Sequence, residues 1–166
     1  MPNQQVVDEL RTMRERLYEI QVEVLEGGKL PTKAHASDAG FDLYSPEDFK
    51  ILPGQVKRIP LNIRFKLPSS SYLSIESKSG LGAKGLLVFA GVIDAGYSGV
   101  VSAVISNIKT VNDDGSVNTT PIVFHKGDKL CQCVPFPFST IYYIKIVDQI
   151  EQITDRGEKG FGSSGK

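Results

Sequence analysis

The sequence has no surplus of charge, few cysteines and few histidines. Its 19 basic and 19 acidic residues cancel, whereas a protein that mainly binds polymeric nucleic acid usually carries a basic excess. A metal site of cysteine and histidine would need more ligands than the two residues of each type, and His35 and His125 stand alone. We therefore expect neither a nucleic-acid partner nor a cysteine–histidine metal centre.

Long apolar runs are missing as well. The longest is far too short to cross a bilayer, and the chain opens with polar and acidic residues rather than with a signal peptide. We therefore expect no membrane association and a cytoplasmic location. The 166 residues suffice for one domain with its own hydrophobic core.

The two cysteines, Cys131 and Cys133, are one residue apart. Residues at positions i and i+2 share one face of a strand. We interpret the pair as reduced cysteines packed on the same strand face, because cysteine is among the residue types most often buried.

The N-terminal segment has the periodicity of an amphipathic helix over residues 4–19, with Asn3 as a suitable N-cap. Its apolar positions are Val6, Leu10, Met13 and Leu17. One helix of this length is not stable by itself. We expect it to pack on its own domain or on copies of itself, or else to dock a partner.

From Ile20 onward the pattern changes to the alternation typical of half-buried strands. The clearest case is residues 59–67, where Pro60 indicates an edge strand, since proline cannot donate to a ladder. Further strands are expected at residues 73–75, 101–105 and 141–147. Turn residues separate them, and neither strand–helix–strand alternation nor a repeat is present. The sequence therefore predicts an all-β sandwich or jelly roll.

An acidic residue, Asp94, stands between an apolar stretch and a glycine-rich turn within residues 91–99. A carboxylate held near a hairpin can act as a general base. The same residue can also serve as a turn aspartate that hydrogen-bonds to its own backbone, and on this segment alone that is the simpler interpretation.

Two further loops combine glycine with charged side chains. Asp42 follows a glycine in residues 39–43, and residues 78–82 bring together a lysine, a serine and glycines. Backbone N–H groups of such a loop can hold an anion. Neither loop matches the phosphate-binding loop of ATPases or the glycine pattern of dinucleotide-binding proteins, so the sequence does not support an ordinary ATPase or an NAD-linked enzyme.

The C-terminal segment, residues 156–166, is rich in glycine and has too little apolar surface to fold alone. It nevertheless contains Arg156, whose guanidinium can bind phosphate oxygens, and Phe161, whose ring can stack on a base. Ser163 and Ser164 add hydroxyl donors. The segment suits a lid over a nucleotide, and the simpler alternative is a flexible, solvated terminus.

Taken in order along the chain, these segments resemble the five motifs of the trimeric dUTP diphosphatases, the dUTPases. The motifs lie at residues 39–45, 78–81, 91–99, 127–132 and 156–165. The resemblance extends from residue 36 to residue 166 and leaves out only the first part of the chain. All five motifs in this order form a highly specific combination.

The resemblance implies a jelly-roll-like β domain that forms a homotrimer. Each active site is then shared by three subunits, and the C-terminal tail of one closes over the site made by the other two. It also implies hydrolysis of dUTP to dUMP and pyrophosphate with Mg²⁺, in the host cytoplasm if the source is viral. On this basis the chain divides into a helical extension (1–19), a β domain (20–154) and a flexible C-terminal lid (155–166).

By the same resemblance, Asp94 is the catalytic carboxylate, which activates a water in line with the α-phosphorus. Tyr97 is expected to pack under the deoxyribose and to leave no room for a 2′-hydroxyl group. The residues expected to read the uracil edge are Gly91, Val92, Ile93 and Ser102. Such a hairpin rejects cytosine by its donor and acceptor pattern and thymine by its methyl group.

The resemblance also implies contacts to phosphates and metal. The residues expected at the phosphates are Lys78, Ser79, Gly80, Gln132, Arg156, Ser163 and Ser164. Phe161 is expected to lie on the uracil, with Gly162 beside it in contact with the substrate. Asp42 is expected near the water shell of Mg²⁺, which binds mainly through substrate phosphates and so needs few direct protein ligands.

Four features depart from the family pattern. Lys78 stands where family members usually have arginine, so the charge is kept and the rigid fork is lost. The third motif lacks the usual acid before Tyr97 and the usual arginine after it. The segment between Asn107 and Gly127 is longer than usual and is expected to form a protruding hairpin, and the N-terminal helix is an addition.

Two other functions compete with this interpretation. A dCTP deaminase has a related fold, but deaminases place an essential glutamate ten residues beyond the aspartate, where this chain has Val104, which cannot relay protons. A bifunctional dCTP/dUTP enzyme falls in the same class. A catalytically inactive protein-binding module would use the helix and the hairpin as surfaces, and the intact acid, tyrosine and tail oppose it.

Overall fold

A computed structural model describes residues 3–108, 110–111, 114–117, 119–138, 144–147 and 149, apart from the side chains of residues 14–17. Strands dominate this part of the chain, as the sequence predicts. The helices are α1 (Gln4–Tyr18) and α2 (Ser79–Gly82). The strands are β1 (Gln21–Val24), β2 (Phe41–Tyr44), β3 (Phe49–Ile51), β4 (Val56–Pro60), β5 (Ile63–Lys66), β6 (Ser71–Glu76), β7 (Leu86–Phe89), β8 (Val92–Asp94), β9 (Ser102–Asn107), β10 (Ile122–Phe124) and β11 (Lys129–Pro137).

These strands form small antiparallel sheets. Their strand orders are β1–β5, β3–β10, β4–β9–β7 and β2–β11–β6–β8. Strands that are distant in sequence lie side by side, as β2 and β11 do, so the chain crosses repeatedly between sheets. One apolar cluster, with Leu43, Ile63 and Ile105 among its most buried members, lies between the sheets.

The strand predicted over residues 59–67 is divided in two. β4 ends at Pro60 and pairs with β9, whereas β5 begins at Ile63 and pairs with β1. Between them, Asn62 has φ 55°, in the left-handed region that asparagine tolerates better than most residues. The Asn62 side-chain Nδ2 donates to Glu26 O at 3.1 Å. The apolar alternation therefore continues while the chain changes partner, and Pro60 ends an edge strand as predicted.

The four-stranded sheet has a buried face and an open face. Its buried side chains, none more than 4% exposed, are Leu43, Leu73, Ile75, Cys131 and Cys133. Side chains alternate along a strand, and the pairing places the next residues of each strand on the opposite face. The open face carries Asp42, Tyr72, Ser74, Glu76, Asp94 and Gln132.

Cys131 and Cys133 are free thiols on the buried face of β11, which confirms their interpretation as buried, reduced residues. Burial raises the pKa of both, to about 12 for Cys133, because a thiolate loses its hydration in an apolar interior. These cysteines are packing residues and are not poised for nucleophilic chemistry.

Helix α1 begins with a side-chain cap. Asn3 Oδ1 accepts a hydrogen bond from Gln5 N at 3.0 Å, which satisfies one of the free donors of the first turn. Every described side chain of α1 is exposed, apolar and polar alike. Within the described residues, no helix combines the length and the apolar character required to cross a membrane.

The long segment before β10 turns back on itself in its described part. Val111 and Val117 form an antiparallel bridge. Asp114 Oδ1 accepts hydrogen bonds from Ser116 N at 2.9 Å and from Ser116 Oγ at 2.6 Å, and Gly115 has φ 83°. This is the turn chemistry expected of the predicted hairpin.

The strand predicted over residues 141–147 is wrong for its described part. Residues 144–147 belong to no ladder, and Ile144 and Ile146 are 97% and 93% exposed. Apolar composition alone does not make a strand, because its backbone groups need a partner edge. The predicted boundary at residue 154 lies outside the described residues.

Candidate active site

Asp42 lies at the centre of a group of cations. It is on β2, only 7% exposed, and its carboxylate forms ion pairs with Lys78 and with Lys129, whose Nζ is 2.6 Å from Oδ2. Burial alone would raise the pKa of Asp42, but hydrogen bonds and charges from Lys129 and Lys78 outweigh burial and hold the pKa below its usual value. Two ammonium groups on one carboxylate leave a net positive charge, which suits an anionic ligand.

Gln132 extends this group along β11. The strand register places it opposite Asp42 on one side and opposite Glu76 on the other. Its Nε2 donates to Ser77 O at 3.2 Å, so its amide is held beside the loop that begins at Lys78. The fold thus brings Asp42, Lys78 and Gln132 together, and we call these three residues the Asp42 cluster.

The loop after β6 forms α2, a single helical turn. Leu81 N and Gly82 N donate to Lys78 O at 3.0 Å and 2.8 Å, whereas Ser79 and Gly80 are exposed. A β-carbon at Gly80 would meet no atom within 4 Å, so the approach to this turn is open. Lys78 is the N-cap residue of this turn, and its ammonium group is held at Asp42. Backbone N–H groups of such a turn can receive an anion.

A second set of predicted residues surrounds the corner between β7 and β8. Ala90 has φ 51°, and Gly91 O accepts a hydrogen bond from Ile75 N at 2.7 Å. A β-carbon at Gly91 would overlap the Ile75 carbonyl oxygen, so only glycine fits this close approach. Beyond the corner, Val92 is 63% exposed while Ile93 packs on the core. Ile93 can therefore face a ligand only through its backbone.

The same corner opens a gap in the sheet beside Ser102. The β7–β9 ladder ends at Phe89, and its register, continued by two residues, would place Gly91 opposite Ser102. No backbone hydrogen bond joins these two described residues. Because Leu61 N donates to Val101 O at 2.9 Å, alternate residues of β9 bond to β4, and the N–H and C=O groups of Ser102 point to the gap. These groups can pair with the polar edge of a flat ligand.

Asp94 ends β8 on the open face of the sheet, opposite Tyr72. Its side chain is exposed and has no hydrogen-bond or ion-pair partner among the described residues, whereas its backbone oxygen accepts from Tyr97 N at 3.0 Å. The simpler alternative, an aspartate whose side chain bonds to its own turn, is therefore not what the fold contains. The carboxylate is available to a ligand or to water.

Tyr97 lies on the loop that follows Asp94. Its ring is 44% exposed, and its hydroxyl donates to Val100 O at 3.1 Å. A β-carbon at Gly99 would contact the tyrosine ring, so this glycine allows the ring to fold over its own loop. Tyr97 therefore presents a fixed apolar surface near Asp94. We call Gly91, Asp94, Tyr97 and Ser102 the Asp94 cluster.

The two clusters do not meet within one chain. Asp42 and Asp94 lie on β2 and β8, the two edge strands of the four-stranded sheet. Neighbouring strands are about 4.8 Å apart, so three steps across the sheet put the backbones of β2 and β8 about 14 Å apart. A site that used both clusters at one phosphate would need a second copy of the chain.

Comparison with known proteins gives the chain a family. A family model described as dUTPase matches residues 26–165, which is most of the sequence. The chain belongs to the dUTPase family. The match includes both clusters, and α1 lies before it.

Viral relatives of this dUTPase-family chain agree with that result. A Variola virus protein named deoxyuridine 5'-triphosphate nucleotidohydrolase is 35% identical over 139 residues, which is 82% of this chain and 86% of that protein. The Pol polyprotein of caprine arthritis encephalitis virus is 37% identical over 139 residues, or 83% of this chain. The chain spans only 11% of that polyprotein.

Solved dUTPase structures share the fold. The dUTPase of Staphylococcus bacteriophage 80alpha with dUPNHPP superposes with a TM-score of 0.76 at 30% identity, covering 89% of this chain and 99% of that chain. A variant dUTPase from phage phi11 of S. aureus, described with the coordination of a structural Mg(II) ion, gives a TM-score of 0.67 at 28% identity, covering 81% of this chain and 99% of that chain.

Three residues that contact the predicted site of this dUTPase-family chain were not apparent from the sequence. Lys129 forms the second ion pair of the Asp42 cluster, and its charge within the fourth motif was the available signal. Ser77 supplies the carbonyl that holds Gln132. Arg58 Nε donates to Ser102 Oγ at 3.2 Å. The last two contacts join residues far apart in sequence, which only the fold brings together.

The predicted lid of the dUTPase-family chain falls outside the described residues. Its predicted site residues are Arg156, Phe161, Gly162, Ser163 and Ser164. Their contacts with base and phosphates therefore stay predictions.

The described residues do not form a metal site by themselves. Among them, no three histidine, cysteine, aspartate or glutamate residues are grouped so that they could hold an ion. Both carboxylate oxygens of Asp42 are engaged by ammonium groups. This donor set suits Mg²⁺ only as an ion carried by substrate phosphates, with Asp42 reaching it through water.

Proposed function

We propose that the chain hydrolyses dUTP to dUMP and pyrophosphate in a Mg²⁺-dependent reaction. A water oxygen attacks the α-phosphorus, its proton passes to the Asp94 carboxylate, and pyrophosphate leaves as the bond to the bridging oxygen breaks. The observation that carries the proposal is the Asp94 carboxylate itself. It lies without a partner among the described residues, next to the corner that opens the gap at Ser102.

Uracil recognition is proposed for the gap between Gly91 and Ser102. The backbone groups of Ser102 that point into the gap would pair with the uracil edge as a missing strand residue would. Cytosine presents the opposite donor and acceptor pattern at that edge, and the methyl group of thymine would meet the wall of the gap. Gly91 lies close against Ile75, so the corner has no room to widen. This close approach supports a gap that is too narrow for the methyl group of thymine.

Discrimination against ribonucleotides is proposed for Tyr97. Its hydroxyl bond to Val100 O and its position over Gly99 hold the ring in one place. A fixed ring under the sugar would fill the volume that a 2′-hydroxyl group needs. UTP would therefore bind poorly although its base is the same.

The triphosphate is assigned to the Asp42 cluster and the turn that follows Lys78. The net positive charge around Asp42 and the open approach to Ser79 and Gly80 support this assignment. Gln132 would add a neutral donor. In the predicted lid, Arg156, Gly162, Ser163 and Ser164 would complete the phosphate contacts, and Phe161 would cover the base.

When bound with the phosphates, Mg²⁺ supplies positive charge that offsets the charge of the triphosphate. Asp42 would orient a water of the metal shell. The lysines that now hold its two oxygens, Lys78 and Lys129, would keep that carboxylate ionised. Lys78 would share its charge between Asp42 and the phosphates, as a compact ammonium group can.

The active form is proposed to be a homotrimer of jelly-roll-like domains with shared sites. The separation of Asp42 and Asp94 within one chain supports sharing, since a dUTP held at one chain's Asp42 cluster would need Asp94 from a neighbour. The outer face of the β4–β9–β7 sheet offers apolar surface for such contacts. It exposes Val56, Leu87 and Phe89 by 60%, 37% and 47%, more than a solvated sheet face needs.

One experiment tests the proposed function directly. Pyrophosphate and ammonia release are measured over dUTP, UTP, dCTP and dTTP, with Mg²⁺ and with Mg²⁺ chelated. We expect pyrophosphate from dUTP alone, and only with the metal. Ammonia from dCTP would indicate the deaminase alternative, and a stable trimer that leaves every nucleotide intact would indicate a binding module.

A further inference from the structure

Helix α1 exposes an apolar stripe that the proposed reaction does not use. Val6, Leu10 and Met13 are 47%, 61% and 62% exposed, and the helix spans 15 residues. A helix of a folded protein normally buries such a stripe. Single exposed apolar side chains are common on protein surfaces. A contiguous row of large exposed apolar side chains on one helix instead indicates a surface that binds a partner.

The spacing of the stripe identifies the kind of partner. Val6, Leu10 and Met13 follow one another at intervals of four and three residues, and the sequence continues the pattern with leucine at position 17. These are the a and d positions, or seam, of a heptad repeat, which pack against another helix with the same repeat, and Val7, 39% exposed, adjoins them. The stripe therefore suits helix–helix packing.

The residues beside the seam favour copies of the same helix. With Leu10 at heptad position a, Glu9 takes position g, and the sequence has arginine at position 14, which is e. Positions g and e of successive heptads meet between neighbouring helices of a parallel bundle. The opposite face satisfies its polar groups locally, since Asp8 Oδ1 accepts from Gln4 Nε2 at 3.1 Å and the backbone oxygen of Asp8 accepts from Thr12 Oγ1 at 2.9 Å.

We propose that the α1 helices of the trimer pack against one another as a parallel bundle on the seam of Val6, Leu10 and Met13. The inference rests on the proposed homotrimer. In a cyclic trimer all copies of α1 point the same way along the symmetry axis, so a bundle shared equally by them is parallel.

Tethering accounts for how so short a helix can associate. Isolated helices shorter than about 12–15 residues are marginal in water, and two heptads are fewer than a free coiled coil needs. Helices attached to one trimer face each other at an effective concentration of roughly millimolar. The helices can then associate without any contacts between the β domains other than those that already hold the trimer together.

A cross-linking experiment on the full chain tests the bundle. Leu10→Cys places a thiol in the seam, and Asp8→Cys places one about 200° around the helix, since each residue turns it by about 100°. The native thiols, Cys131 and Cys133, are buried with raised pKa and contribute little background. Under mild oxidation of dilute protein, we expect disulfide-linked dimers from Leu10→Cys at a rate at least tenfold above Asp8→Cys.

The outcomes separate this inference from the proposed function. Light scattering and dUTP turnover are recorded on the same reduced samples. A turning-over trimer in which both cysteine variants cross-link equally, or neither does, overturns the bundle and leaves the function intact. Oxidised Leu10→Cys particles of twice the trimer mass also overturn it, because the helices then pair between trimers. A monomer without turnover overturns the proposed function instead.

Discussion

The Asp94 side chain is exposed and has no partner among the described residues. Its carboxylate can therefore hydrogen-bond a water molecule, as the proposed general base must. We expect Asp94→Asn to lower kcat for dUTP by roughly 10²- to 10⁴-fold, because the amide cannot accept the water proton. The dissociation constant for dUTP should change little. Stopped-flow pyrophosphate release and calorimetric titration measure the two quantities.

Asp114 provides the matched control for that substitution. Its carboxylate caps the turn of the inserted hairpin through Ser116, away from both clusters in sequence. Asp114→Asn removes the same charge and should leave turnover within a factor of about two, as for surface substitutions in general. Equal losses in the two variants would remove the case for Asp94 as the base.

The ion pairs of Asp42 predict an acid-dependent stability term. Because Lys129 and Lys78 lower the folded pKa of Asp42 below its ordinary value of 3.8, the stabilisation is fully present above that value. It is lost as the pH falls through the lowered folded pKa. Thermal unfolding of the wild type and of Asp42→Asn should differ most at neutral pH and converge as the pH falls below 3.8 and through the lowered folded pKa. If the difference in thermal stability between the two proteins stayed constant through that pH range, the ion pairs of Asp42 would not be its cause.

At the scale of elements, the β7–β8 corner depends on one close approach. Gly91→Ala would put a methyl group onto the Ile75 carbonyl oxygen, so the corner must shift and the gap at Ser102 changes width. We expect a loss of about 1–3 kcal/mol in the free energy of unfolding, the range for overpacking, together with a raised KM for dUTP. Urea unfolding and steady-state kinetics measure these effects.

Gly96→Ala is the control for the corner. A β-carbon there would meet no atom within 4 Å, although the residue lies on the same loop as Asp94 and Tyr97. Stability should change by less than about 0.5 kcal/mol, as at open surface positions. If both alanine variants unfold alike, the contact at Gly91 is not what fixes the corner.

The strands also show what a sequence pattern does not predict. Alternating hydrophobicity predicted residues 59–67 as one strand, and the alternation persists in the structure. The division at Asn62 arises because the two halves find different partners, β9 and β1. A local pattern specifies which side chains are buried, whereas strand pairing is set by edges that become neighbours only in the folded chain.

At the scale of the whole molecule, a shared site predicts complementation between inactive chains. Asp94→Asn and Lys78→Ala are each expected to be strongly impaired alone. Produced together, they form mixed trimers in which a site can take Asp94 from one chain and Lys78 from another. Random mixing leaves about a quarter of the sites intact, and pyrophosphate release should recover in proportion.

Two controls decide how that recovery is interpreted. Mixing either variant with a second preparation of itself should restore nothing. A mixture of Asp94→Asn with Tyr97→Ala should release no more pyrophosphate than its Tyr97→Ala chains give alone, because Asp94 and Tyr97 belong to one cluster and come from the same chain. Absence of recovery in the Asp94→Asn and Lys78→Ala mixture would place both clusters at one chain's site.

The sequence by itself determined the β-rich fold, the buried cysteines and the order of motifs that led to the dUTPase family. These follow from local composition and spacing, which are properties of the chain before it folds. Only the tertiary structure decided that Asp42 is held by two lysines, that Asp94 lacks a partner among the described residues, and that the two lie on opposite edge strands. Those facts depend on strand order and register, which bring together residues that no local pattern connects.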